Sequence, residues 1–172
     1  MAQSPDTLAA VMPDSVLEQA DTVLELAKAR QVTLAAAESC TGGLLAVLLT
    51  DVPGCGHLFD RGFVTYSEDA KCDMLGIEPA RLDRFGAVSR EIARDMAQGA
   101  LNHSDADIAV SITGYAGPTD DGGEEGLVHF ACVHRGDAIA DREEHFGAKG
   151  RAEIRKAALR CALEMIEQAL RA

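Results

Sequence analysis

The chain of 172 residues has no tryptophan, and aromatic residues make up only 4% of it. A core built on large rings is therefore excluded, and packing must rest on Ala, Leu, Ile and Val. Positive charge is also scarce: 16 Lys and Arg stand against 28 Asp and Glu, a formal net charge of −12. That balance argues against general nucleic-acid binding or attachment to an anionic membrane, both of which need a basic footprint. It leaves room for a local cationic pocket that takes one small anion. No apolar run is long enough for a signal segment or a membrane span, and Met1 to Thr7 carry no basic residue. The cysteines, Cys40, Cys55, Cys72, Cys132 and Cys161, form no Cys-Xaa-Xaa-Cys pair, and their number is odd. The histidines are scattered. A disulfide scaffold, a metal site and a cofactor are therefore not expected; the thiols read as reduced ones in a cytoplasmic protein.

What is present reads as one globular domain over residues 1–172, with 47% hydrophobic and 26% charged residues. Helical spacing runs from Pro13 to Arg30, after Gly43 to before Pro53, from Ser67 to Gly76, from Pro79 to Phe85, and from Ser89 to Ala100. A last helix runs from Gly150 to Ala169. Strand-like segments are Val32 to Ala37, Gly62 to Tyr66 and Ile108 to Thr113. A hairpin is expected from Leu127 to His134 and Ala138 to Phe146, about Arg135-Gly136-Asp137. Early alternation of helix and strand with a late hairpin predicts an α/β fold, a three-layer α/β/α sandwich with a mixed β-sheet.

The stretch Ala35 to Ala46, AAAESCTGGLLA, carries the most chemistry. A strand ends in small polar residues and two glycines, then continues as a helix. One reading is an ordinary N-cap by Ser39 or Thr41. The other uses the helix N-terminus for an anion or a developing oxyanion, with N–H groups of Thr41, Gly42 and Gly43 as donors and Ser39 as nucleophile. The phosphate-loop pattern does not fit, since no Lys follows the glycines. The nucleophile elbow does not fit either, since Ser39 lacks flanking glycines.

A serine needs a base to attack a carbonyl at neutral pH. No histidine accompanies this turn, so Lys71 is the candidate, provided burial or a cationic neighbour lowers its pKa. Tyr66 can relay a proton or orient the lysine. Against this stand plainer readings: a solvated helix lysine and a half-buried strand aromatic. Cys40, next to Ser39, is an alternative nucleophile. The Thr113 to Pro118 loop follows a strand, as the Ser39 turn does, so both can meet on one sheet edge.

Four motifs occur in order: Ala37-Glu38-Ser39-Cys40-Thr41-Gly42-Gly43; Phe63-Val64-Thr65-Tyr66-Ser67 with Lys71; Gly86-Ala87-Val88-Ser89; and Thr113-Gly114-Tyr115-Ala116-Gly117-Pro118. Together they resemble the CinA C-terminal domain family in its stand-alone form, over residues 12–170. The resemblance implies hydrolysis of the carboxamide of nicotinamide mononucleotide to nicotinate mononucleotide and ammonia, in pyridine-nucleotide recycling. It implies Ser39 as nucleophile, Lys71 as base, Tyr66 beside them, and Thr113 and Gly114 in the pocket wall. Arg155, with Arg151 nearby, would meet the substrate's phosphate. The implied partner is a small-molecule nucleotide, with no nucleic acid or membrane; family members are often dimers, so a homodimer is expected. A non-catalytic nucleotide-binding or regulatory module is the alternative. Three departures, at Tyr115, at Gly126-Leu127-Val128 and at Gly150-Arg151, fall in expected pocket walls and bear on selectivity.

Overall fold

The structure is a computed structural model that describes residues 12–120 and 122–172. The Met1 to Thr7 reading lies outside the described residues. Twelve segments follow in order: α1 (Asp14–Arg30), β1 (Leu34–Glu38), α2 (Leu44–Thr50), a single 3-10 turn (Gly56–Leu58), β2 (Phe59–Val64), α3 (Glu68–Leu75), α4 (Pro79–Phe85), α5 (Arg90–Asn102), β3 (Ile108–Gly114), β4 (Leu127–His134), β5 (Ala140–His145) and α6 (Arg151–Arg171). The sheet order is β2-β1-β3-β4-β5. β1 runs parallel to β2 and β3, whereas β4 and β5 are antiparallel to their neighbours, so the sheet is mixed as expected.

Strand periodicity explains the layering. Alternate residues point to opposite faces. Leu34 and Ala36 of β1, with Ile108, Val110 and Ile112 of β3, pack into one core with α1, α2 and α6. Ala35, Ala37 and Ala109 face the other way, into a core made with α3, α4 and α5. Both faces of β3 are covered, which is why its apolar run shows so little alternation.

β2 differs from the reading of Gly62 to Tyr66. It begins at Phe59 and ends at Val64, where pairing with Glu38 stops. It is an edge strand, and its polar Asp60 and Arg61 are exposed, so its first half carries no buried-strand signature. Ser67 then caps α3, its Oγ accepting from Ala70 N–H at 3.1 Å.

α3 lies very close to α5. A Cβ added at Gly99 would sit 2.4 Å from the Leu75 carbonyl oxygen. Only glycine lets the two helices approach this far, despite its cost of about 1 kcal/mol in a helix interior.

Candidate active site

Ser39 follows β1 directly, and its N–H donates to the Ile112 carbonyl of β3 at 3.0 Å. The chain leaves β1 through α2 on one face and returns to β3 from α5 on the other. The carboxyl ends of β1 and β3 therefore bound a crevice, the place where α/β sheets put their ligands. A cavity of ≈ 260 Å³ opens there, with Ser39 and Lys71 among its lining and the Thr113 to Thr119 loop along one wall.

Lys71 is 1% exposed. α3 directs its side chain under the Ser39 turn, where Nζ lies 3.2 Å from Ser39 Oγ and donates to the Thr65 carbonyl at 2.7 Å. Burial pushes its pKa down, because a cation loses its hydration there, and nearby Glu68 opposes that shift in part. The solvated-lysine reading is thereby overturned. A buried amine that gives up its proton readily, in contact with a serine hydroxyl, is the arrangement a Ser/Lys nucleophile needs.

The turn after Ser39 corrects one expectation. Gly42 and Gly43 have φ of 63° and 94°, which only glycine holds without strain. Their N–H groups, however, are already committed: Gly42 donates to the Ser39 carbonyl at 3.0 Å, and Gly43 to Glu38 Oε2 at 3.2 Å. The same carboxylate accepts from Leu45 N–H at 3.0 Å and, through Oε1, from Ala46 N–H at 2.8 Å. The α2 N-terminus is thus filled by the chain's own anion, and Gly42 and Gly43 have no donor to spare for a ligand. The N–H groups of Cys40 and Thr41 donate to no carbonyl or carboxylate among the described residues; Cys40 lines the cavity, whereas Thr41 does not. The Thr41 hydroxyl is buried without a partner among the described residues.

Other expected residues divide. Thr113 and Gly114 line the cavity. Thr113 Oγ1 donates to the Ala87 carbonyl at 2.8 Å, and Gly114 leaves no room for a side chain, since a Cβ would meet Leu127 O at 2.6 Å. Tyr66 also lines the cavity but stands at its mouth, 67% exposed, with no hydrogen bond to Lys71 or Ser39. Arg155 does not line the cavity; its Nε donates to the Cys40 carbonyl at 2.8 Å and braces the turn. Arg151, one helical turn earlier, is exposed and forms part of the wall beside Gly117. Of the three departures, Tyr115 and Arg151 reach the cavity, whereas Leu127 is not among its lining residues.

Cys40 is a poor nucleophile. Burial pushes its thiol up to about 12, so the reactive thiolate is absent near neutrality. All five cysteines are free. Pattern reading gave Glu38 no place in the site: a glutamate closing an apolar strand looks like a solvated strand end, and only the fold of the turn buries it.

The class is thus a three-layer α/β protein with a serine–lysine pair buried at the switch point of a mixed sheet. A family model, the CinA C-terminal domain, matches residues 17–170, and the chain belongs to that family. It is 45% identical over 162 residues to nicotinamide-nucleotide amidohydrolase PncC of Escherichia coli K12, covering 91% of this chain and 96% of that protein. It is also 49% identical over 112 residues to a CinA-like protein of Chlorobium limicola, covering 65% of this chain. That relative is much longer, and the matched part spans only 26% of it; a relative from Caldicellulosiruptor saccharolyticus is matched over 36% of its length. Among solved structures, competence/damage inducible protein CihA of Agrobacterium tumefaciens superposes with a TM-score of 0.88 at 44% identity, over 94% of this chain and 99% of that one. A CinA superfamily protein of Escherichia coli superposes with a TM-score of 0.84 at 34% identity, covering 98% and 94%. No helix among the described residues is long and apolar enough to cross a membrane.

Proposed function

We propose that this chain is a nicotinamide-nucleotide amidohydrolase, converting nicotinamide mononucleotide and water to nicotinate mononucleotide and ammonia. The observation that carries the reading is the buried Lys71 amine in contact with Ser39 Oγ at the floor of the cavity. Its similarity in sequence to the Escherichia coli amidohydrolase supports the choice of substrate.

Neutral Lys71 takes the Ser39 proton as Oγ attacks the carboxamide carbon. The carbonyl oxygen becomes an oxyanion beside the Ser39-Cys40 turn, where the Cys40 N–H is the donor next to the nucleophile. Lys71 returns the proton to the amide nitrogen, the C–N bond breaks, and ammonia leaves an acyl-enzyme. Water then attacks that ester with Lys71 again as base, releasing the acid and restoring Ser39. The cavity volume is below the usual range for whole drug-sized ligands, so it suits the pyridine carboxamide while the ribose phosphate extends outward. Arg151 is the cation placed to meet that phosphate. We read the chain as cytoplasmic, as acting on a small nucleotide rather than on nucleic acid or membrane, and as a homodimer in solution.

The test is to incubate the protein with nicotinamide mononucleotide and quantify ammonia and nicotinate mononucleotide, with Ser39→Ala as control. Turnover that vanishes in the control is expected. Binding of the nucleotide without turnover would instead favour a non-catalytic binding module.

A further inference from the structure

We infer that Glu38 is a positioning residue for the Ser39 attack, and that it aligns nucleophile and base at once. The inference rests on the amidohydrolase reading. Glu38 is 1% exposed, and no cation pairs with its carboxylate among the described residues. What compensates the buried charge is three backbone N–H groups of the Gly43 to Ala46 segment, at 2.8 to 3.2 Å. These bonds close the turn back on its own strand, fixing the loop that holds Ser39, Cys40 and Thr41.

The backbone of Glu38 works on the other half of the pair. Its carbonyl accepts from Thr65 N–H at 2.8 Å, and the Thr65 carbonyl in turn accepts from Lys71 Nζ at 2.7 Å. Ser39 is the next residue in the chain. The nucleophile is therefore Glu38's neighbour in the chain, and the base is two hydrogen bonds away through Thr65. By saturating the α2 N-terminus, the carboxylate also denies that terminus to the substrate's oxyanion or phosphate.

Glu38→Gln keeps the size but sets an NH₂ against a backbone N–H. Glu38→Asp keeps the charge but withdraws it by one methylene. Both shift the turn without altering Tyr115 or Arg151, which also line the cavity. The expected result is kcat lowered about 10²-fold, the scale of an ångström misplacement, with KM for nicotinamide mononucleotide within about twofold and circular dichroism unchanged.

A fluorophosphonate probe reads the same alignment without the natural substrate. Ser39 Oγ forms a bond to phosphorus, the P–F bond breaks, fluoride leaves, and the serine proton passes to Lys71. Labelling of Ser39 should slow in parallel with kcat. Folded variants that label and turn over at the wild-type rate would overturn the inference, as would a loss confined to KM. If neither variant folds, Glu38 belongs to folding alone and the inference also fails. A wild-type chain that labels on Ser39 yet releases no ammonia overturns the amidohydrolase reading, while the comparison of labelling rates still decides the role of Glu38. A wild-type chain that does neither overturns both.

Discussion

Lys71 Nζ and Ser39 Oγ lie 3.2 Å apart in a site where the lysine has almost no contact with solvent. Two elements that are 32 residues apart in sequence are locked by this contact. Lys71→Ala and Ser39→Ala should each lower kcat by about 10²-fold to 10⁴-fold, the usual weight of a general base or its nucleophile. Steady-state ammonia release measures this, with thermal melts confirming that both variants stay folded.

The lowered pKa of Lys71 gives a pH dependence of known sign. Activity should rise with pH and level off below 10.5, the ordinary lysine value. Stability moves the same way. Between the folded pKa and 10.5 the unfolded chain binds the extra proton, so rising pH favours the fold in that window. Lys71→Met should flatten this part of the stability profile, as followed by urea unfolding at a series of pH values.

Cys40→Ala should keep kcat within about threefold, since a thiol held near 12 takes no part in attack. Iodoacetamide at pH 8 should modify the more accessible Cys55 and Cys72 before Cys40. Peptide mass spectrometry gives the order. Rapid inactivation tied to Cys40 alkylation would reopen the thiol as nucleophile.

Arg151 and Arg155 should separate kinetically. Arg151→Ala removes a wall cation and should raise KM for nicotinamide mononucleotide about tenfold, roughly 1.4 kcal/mol, with little change in kcat. Arg155→Ala removes the donor to the Cys40 carbonyl and should act on kcat instead. Initial-rate kinetics over a range of substrate concentrations distinguishes the two.

His145 offers a test remote from the cavity. Hydrogen bonds to Glu124 and Glu143, at 2.8 and 3.0 Å, push its pKa up from the ordinary 6.5. A raised folded-state pKa adds stability that is fully present below 6.5 and lost as pH climbs through the folded value. His145→Gln should therefore lower the melting temperature at pH 5.5 and leave it unchanged at pH 9.

Much of this was legible from residues alone. Ser67 and Ser89 announced the helices they cap, and the Ile108 to Thr113 run announced a strand buried on both faces. The order of elements was enough to anticipate three layers and a mixed sheet. Less legible was whatever depended on where a bond ends. Gly42 and Gly43 have the composition of an anion cradle, yet their N–H groups are already spoken for by Ser39 and Glu38. Arg155 and Arg151 are equivalent as letters; one turn of α6 puts one against a carbonyl and the other at the cavity. β2 began earlier than its apolar residues suggested, because an edge strand needs no buried pattern to pair.

The close approach of α5 to α3 at Gly99 has a reach beyond packing. Lys71 rides on α3, whose last residue, Leu75, lies against Gly99. Leu75 stands one turn after Lys71 on the same buried face of α3, so the placement of the base also depends on a residue of α5 that takes no part in the chemistry. A single methyl group at position 99 would act as a shim, pushing the lysine's helix while every side chain in the cavity kept its identity. Drift in the rate of the proposed reaction can begin at a position with no chemistry of its own.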